Sequence, residues 1–180
     1  MTIYALSTVQ GQSGVAIIRV SGPLAEEAIF KLTHKKLKPR MATLCKILNS
    51  KKEALDEAVV IFFEEKRSFT GESVAEFQTH GGEAIIRSVL RELSLIKGLR
   101  PAEPGEFTKQ AYLSGKINLV QAEGLGDLIS AQTEKQRQQA MMQNATANAT
   151  MDLANADAVT KVNIENSKSF LAMDMANLSN

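Results

Sequence analysis

The chain has no tryptophan, one cysteine, two histidines and a net charge of only +1 over 180 residues. Each scarcity excludes something. A lone cysteine, Cys45, rules out an internal disulfide, and no histidine lies near it in sequence, so it reads as packing rather than as a nucleophile. His34 and His80 have no cysteine at ligand spacing, so no metal site is expected, and no catalytic Ser/His/Asp arrangement is legible. The near-neutral balance gives no bulk drive toward nucleic acid or an anionic membrane. With 5% aromatics, the core allowed by 44% apolar residues must be mostly aliphatic. No apolar run approaches the roughly 20 residues of a bilayer span. Met1-Thr2-Ile3-Tyr4-Ala5 lacks a basic, then apolar, export signal. A cytoplasmic protein without a membrane partner is expected.

The richest stretch is Ser68 to Gly82, with two carboxylates, an amide, a histidine and three glycines. Strand alternation puts Val74, Glu76, Gln78 and His80 on one face and Ala75, Phe77 and Thr79 on the other. A face carrying Glu, Gln and His is either solvated or built to meet a polar ligand. Gly81-Gly82 then stops the strand at a helix start, where backbone N–H groups can face an anion.

Around this motif the pattern predicts strands over Gly14–Ser21, Met41–Leu48 and Glu57–Glu64. Ser21 or Gly22 is placed to cap a helix running to about Leu32. Residues His34 to Arg40 form a basic loop that reads as a solvated surface or a phosphate contact. Glu83 to Lys97 is the clearest helix, with Ile85, Ile86, Val89, Leu90, Leu93 and Ile96 at helical spacing and Gly98 at the capping position. A stiff Pro101–Phe107 turn leads into a short helix ending near Leu113. A long helix is then expected from Asn118 toward Gln143, with Asn118 and Gln121 at capping-box spacing and Gly124 and Gly126 weakening its start. From Asn144 the chain turns Asn/Ala-rich, with seven Asn and eight Ala to Asn180 and poorly phased apolar residues. That tail reads as helix-permissive without a core of its own.

Four blocks in order, Gly14–Pro23, Ser68–Glu72 with His80–Gly82, Arg100–Thr108 and Leu113–Glu123, closely resemble the N-terminal region of the tRNA modification GTPase family MnmE, also called TrmE. The resemblance covers about residues 2 to 135. It implies an α+β fold, a mixed β-sheet with packed helices, followed by a long C-terminal helix. The Asn/Ala-rich tail that comes next stands where the family's helical domain would continue and is not part of the resemblance. Residues 1–117 would be a folate-binding domain, 118–143 the start of a helical domain and 144–180 an atypical tail. It implies binding of 5-formyltetrahydrofolate or a related reduced folate, self-association as a homodimer, and work with the flavoprotein MnmG on carbon 5 of the wobble uridine, with tRNA met only through the larger assembly. The matching folate-contact positions are Arg19, Glu76 and Lys116. One departure is large. No Gly-x-x-x-x-Gly-Lys-Ser/Thr loop occurs in the 180 residues, because Gln110 stands five before Gly115 and Ile117 follows Lys116, so GTP hydrolysis does not carry over to this chain.

The chemistry of the three positions suits the resemblance. A carboxylate such as Glu76 can accept the paired N–H groups of a pterin, and Arg19 and Lys116 can meet tail carboxylates. Plainer roles exist for each: Arg19 as an internal partner of Glu72 or Glu76, Lys116 as a turn residue, His80 as a hydrogen-bonded turn histidine. Two other functional classes compete with a ligand-binding module. One is a self-contained folate-dependent transferase using Glu76 and His80 for acid–base work. The other is an interaction module that has lost its ligand.

Overall fold

A computed structural model of the chain describes the backbone of residues 1–177; beyond residue 150, side chains are described only at 152, 153, 156, 157 and 161. Two compact units are present, Met1–Lys116 and Ile117–Asn180.

The first unit is a six-stranded sheet with helices. Its elements are β1 (Thr2–Leu6), β2 (Ser13–Ser21), α1 (Ala25–Thr33), β3 (Thr43–Leu48), β4 (Ala54–Phe63), β5 (Val74–Gly81), α2 (Glu83–Ser94), β6 (Leu99–Pro101) and α3 (Glu106–Leu113). The strand order is β3-β4-β5-β2-β1-β6. Neighbours pair antiparallel except β1 with β6, which are parallel. The architecture is the expected α+β mixed sheet.

One sheet face is the core. Ile18 and Val20 of β2, Val60 of β4, and Ala75 and Phe77 of β5 are fully or almost fully buried there. They meet Ala25, Ala28, Ile29 and Leu32 of α1 and Ile86, Val89 and Leu93 of α2 in one aliphatic cluster. At roughly 1.5–3 kcal/mol per buried Val, Leu, Ile or Phe side chain, this face is the main source of stability. Cys45 belongs to it and is buried. Burial pushes its thiol pKa up, against a smaller downward pull from Lys35.

Two strands escape the pattern reading. β1 buries Thr2, Ile3 and Tyr4 in succession, so it shows no alternation. It lies between β2 and β6, and its register with β2 (Tyr4 opposite Val20, Ala5 opposite Arg19) decides which side chains face the core. β6 has three residues including a proline, too short to declare itself without its partner. The expected cap of α1 is also corrected. Leu24 is the cap residue and makes no side-chain cap bond, while its N–H donates to Thr2 Oγ1 at 3.1 Å. Ser21 is elsewhere: its hydroxyl shares a 2.7 Å hydrogen bond with Thr70 Oγ1.

In the second unit the expected single helix is two, α4 (Leu119–Ser130) and α5 (Glu134–Asn177). The capping box forms: Gln121 N–H donates to Asn118 Oδ1 at 2.8 Å, and Asn118 N–H to Gln121 Oε1 at 2.6 Å. Gly124 lies against α5. A Cβ there would come within 2.5 Å of Asn144 Oδ1, so a larger residue would displace the Asn144 amide. Buried Ala140 and Ala147 line α5, so packing continues past Gln143 into the tail. The expectation that the rest of the tail has no core falls mainly on side chains outside those described. Among the described residues no helix is long and apolar enough to cross a membrane.

Candidate functional site

The second face of the sheet is the chemically interesting one, because β5 alternates as expected. Glu76 and Gln78 are half-buried and His80 is exposed, while Ala75, Phe77 and Thr79 point into the core. Strand register sets their neighbours. Ala5, Arg19, Glu76 and Ile61 form one lateral row; Ile17, Gln78, Val59 and Leu44 form the next. Two of the three anticipated site residues therefore sit side by side on adjacent strands, 57 residues apart in sequence.

They are bonded to each other. Arg19 donates to Glu76 Oε1 from Nε at 2.9 Å and from Nη2 at 2.7 Å. The side chains are 27% and 16% exposed. The Phe107 ring lies against the guanidinium, with Cζ 5.6 Å from the ring centroid, within cation–π range. Both donors use one carboxylate oxygen, so Glu76 Oε2 and Arg19 Nη1 have no hydrogen-bond partner among the described residues. This leaves a free acceptor beside a free cationic donor.

Phe107 owes its position to the start of α3. Arg100 pairs with both oxygens of Glu106, and Glu103 N–H donates to Glu106 Oε2 at 2.8 Å. The Arg100 hydrogen bonds, helped by the Glu103 N–H, lower the Glu106 pKa to about 2. This clamp ties α3 to β6, one residue before the ring.

The other end of α3 holds the 64–73 loop. Ser114 Oγ donates to the Thr70 carbonyl at 2.7 Å, and Thr70 is fully buried against Ser21. Gly71, at φ +81°, makes this possible: a Cβ there would fall 2.6 Å from Ser114 Oγ and 2.8 Å from its Cβ. Two buried acceptors flank the junction without partners among the described residues, Glu72 Oε2 and Gln110 Oε1. Lys116 follows directly. Its ammonium donates to the Lys66 carbonyl and makes no hydrogen bond or ion pair with Arg19 or Glu76. The structure thus brings Arg19 and Glu76 together and leaves Lys116, exposed, at the loop beyond α3's end.

His80 has a partner that sequence reasoning missed. Asp56 Oδ2 accepts the His80 backbone N–H at 2.8 Å, and Asp56 Oδ1 lies 2.7 Å from Nδ1. Burial pushes the Asp56 pKa up, but the two His80 hydrogen bonds and the Glu57 N–H outweigh it, leaving the pKa lowered. Only the β4–β5 register joins these residues, so no sequence signal could have linked them. Two clefts of this unit lie away from the pair: one of about 670 Å³ between segment 6–12 and α2, one of about 390 Å³ between α1 and α2.

Comparison with known proteins adds the following. The family described as GTP-binding protein TrmE N-terminus matches residues 2–116. The mitochondrial 5-taurinomethyluridine tRNA synthase subunit GTPB3 of Danio rerio is 51% identical over 145 residues, 80% of this chain and 29% of that protein. The tRNA modification GTPase MnmE of Parvibaculum lavamentivorans is 50% identical over 144 residues, 79% of this chain and 33% of that protein. The human GTPB3 protein is 48% identical over 145 residues, 79% of this chain and 30% of that protein. The chain thus spans about a third of the length of these relatives.

Proposed function

The chain belongs to the TrmE N-terminal family, and from that premise we propose that it is the reduced-folate-binding, self-associating part of a tRNA-modifying GTPase. The observation that carries the reading is the Arg19–Glu76 pair on the open sheet face, at two positions the family resemblance assigns to folate contact. Glu76 Oε2 suits the pterin N–H groups. Arg19, once released from Glu76, and Lys116 suit the carboxylate tail. The paired arrangement is then a resting state: Arg19 occupies the oxygen that a bidentate pterin contact needs, so binding exchanges the arginine for the ligand. In this reading the chain holds a one-carbon donor, and the transfer itself takes place in the larger assembly with MnmG and tRNA.

Self-association has its own support on the same face. Half-buried Ile17, Val59 and Ile61 lie beside Val15 and Leu44, which are 54% and 59% exposed. A second copy covering this strip would remove it from water. The helical unit from Ile117 is the beginning of the family's helical domain in this reading.

Calorimetric titration with 5-formyltetrahydrofolate tests the ligand, and sedimentation at micromolar concentration tests the dimer. Saturable one-to-one binding and a species of twice 19.6 kDa are expected. The closed Arg19–Glu76 pair favours one second reading, a module in which these residues only hold strands together. Absence of binding by a folded dimer would establish that reading instead.

A further inference from the structure

We infer that the ligand carries a chain of γ-linked glutamates, and that Lys66, Arg67 and Arg40 form the track its extra carboxylates follow outward from Lys116. This inference rests on the folate reading above and specifies its substrate class.

The charge distribution leads to it. Residues 1–116 hold 17 lysines and arginines against 13 acids, an excess of four. Seven of those cations come from two segments and one turn: Lys35, Lys36, Lys38 and Arg40, then Lys66 and Arg67, then Lys116. The acids of the same stretches are Glu64, Glu65 and Glu72, so this region accounts for the whole excess. All seven cations are exposed, and none has a carboxylate within 4.0 Å among the described residues.

The fold joins four of them, Lys116, Lys66, Arg67 and Arg40. The Lys116 ammonium reaches the Lys66 carbonyl, and Arg40 Nη1 donates to the Arg67 carbonyl at 3.3 Å. Arg40 and Lys66 both sit in the left-handed region, at φ 59° and 65°. Each is held there by its backbone N–H, Arg40 to the Phe62 carbonyl at 2.7 Å and Lys66 to the Gly71 carbonyl at 2.8 Å. Non-glycine residues in that region persist where the surroundings hold them, so these two cations have fixed starting points.

The chemistry selects the ligand. Each γ-linked glutamate adds one α-carboxylate to a flexible chain. A row of single positive charges beginning at the residue assigned to the first tail carboxylate matches a row of single negative charges. An RNA backbone would also be drawn to this surface, but it would not need the row to begin at the folate site.

The test compares 5-formyltetrahydrofolate bearing one glutamate with the same compound bearing five. Wild type and a triple variant, Arg40→Ala with Lys66→Ala and Arg67→Ala, are titrated at low salt and at about 0.15 M. Wild type should bind the pentaglutamate roughly tenfold tighter, an increment in line with a few exposed ion pairs. The gain should shrink with salt. The triple variant should lose the gain and keep wild-type affinity for the monoglutamate, which also shows that it is folded. Equal affinities in wild type, or a gain that survives in the triple variant, would overturn the inference while leaving the folate reading intact. So would loss of tRNA retention in the triple variant without any pentaglutamate gain in wild type, which would assign the surface to RNA. Failure of wild type to bind either compound would instead refute the folate reading on which the inference stands.

Discussion

Glu76→Gln separates the two roles available to the open sheet face. The substitution keeps the size of the side chain and removes its charge. In the free protein, Arg19 then donates to a neutral amide oxygen rather than a carboxylate. Two charge-assisted hydrogen bonds weaken at a pair 27% and 16% exposed, where solvent screens part of the interaction. The expected loss is about 1–2 kcal/mol, at the low end for hydrogen bonds to charged groups because of that screening. For a domain of this size that lowers Tm by about 3–8 °C. Ligand affinity should suffer more, because an amide N–H can turn toward the pterin N–H groups and leave two donors facing each other. About 2–3 kcal/mol is expected, roughly thirty- to a hundred-and-fiftyfold in Kd. Arg19→Ala should have a smaller effect on Kd than Glu76→Gln, since deleting the arginine removes a tail contact but also frees the oxygen it occupies. The assay is calorimetric titration with 5-formyltetrahydrofolate after a thermal melt of each variant. A folded Glu76→Gln protein with wild-type affinity would refute the pterin assignment. A larger loss in Arg19→Ala would refute the exchange of arginine for ligand.

Gly71→Ala should destabilise the protein by about 1–3 kcal/mol, because φ is +81° and the new Cβ would meet Ser114; an unchanged Tm would show that the 64–73 loop can move away from α3. Stability should also fall in acid. Glu106 titrates near 2 in the folded chain, held by Arg100 and the Glu103 N–H, against about 4.3 when unfolded. Its depressed pKa contributes stability that is complete above the unfolded value and lost as pH falls through the folded one. Denaturant midpoints should therefore decline from about pH 4.5 toward pH 2, and Glu106→Gln should flatten that decline; equal slopes in both proteins would contradict the clamp. Cys45, buried with a raised thiol pKa, should resist alkylation by iodoacetamide in the native state at pH 8 and react on unfolding; rapid native labelling would mean that β3 opens.

Much of this protein is legible along the chain. The 3.6-residue spacing from Ile85 to Leu93 declares α2, although the helix stops at Ser94, with Leu95 as its cap, short of the expected end at Lys97 and Gly98. Alternation from Val74 to His80 declares which side of β5 is polar. The Asn118–Gln121 capping box also forms as its spacing suggests. These signals are local, so each needs only the backbone's own period to be read. The polar side of β5 draws attention to Glu76, while Arg19, Glu76 and Lys116 are singled out as a set by the family resemblance. What the chain alone leaves open is who meets whom. Whether Arg19 pairs with Glu72 or Glu76 depends on the β2–β5 register, and the register settles it as Glu76. That Asp56 holds His80, that Ser21 bonds Thr70 instead of capping α1, and that Lys116 reaches Lys66 are likewise outcomes of packing. β1 and β6 belong to the same class, strands without a pattern of their own that exist because a neighbour offers a hydrogen-bonding edge. Periodicity is a property of one segment and survives in the sequence; register is a property of two, and only the folded chain decides it.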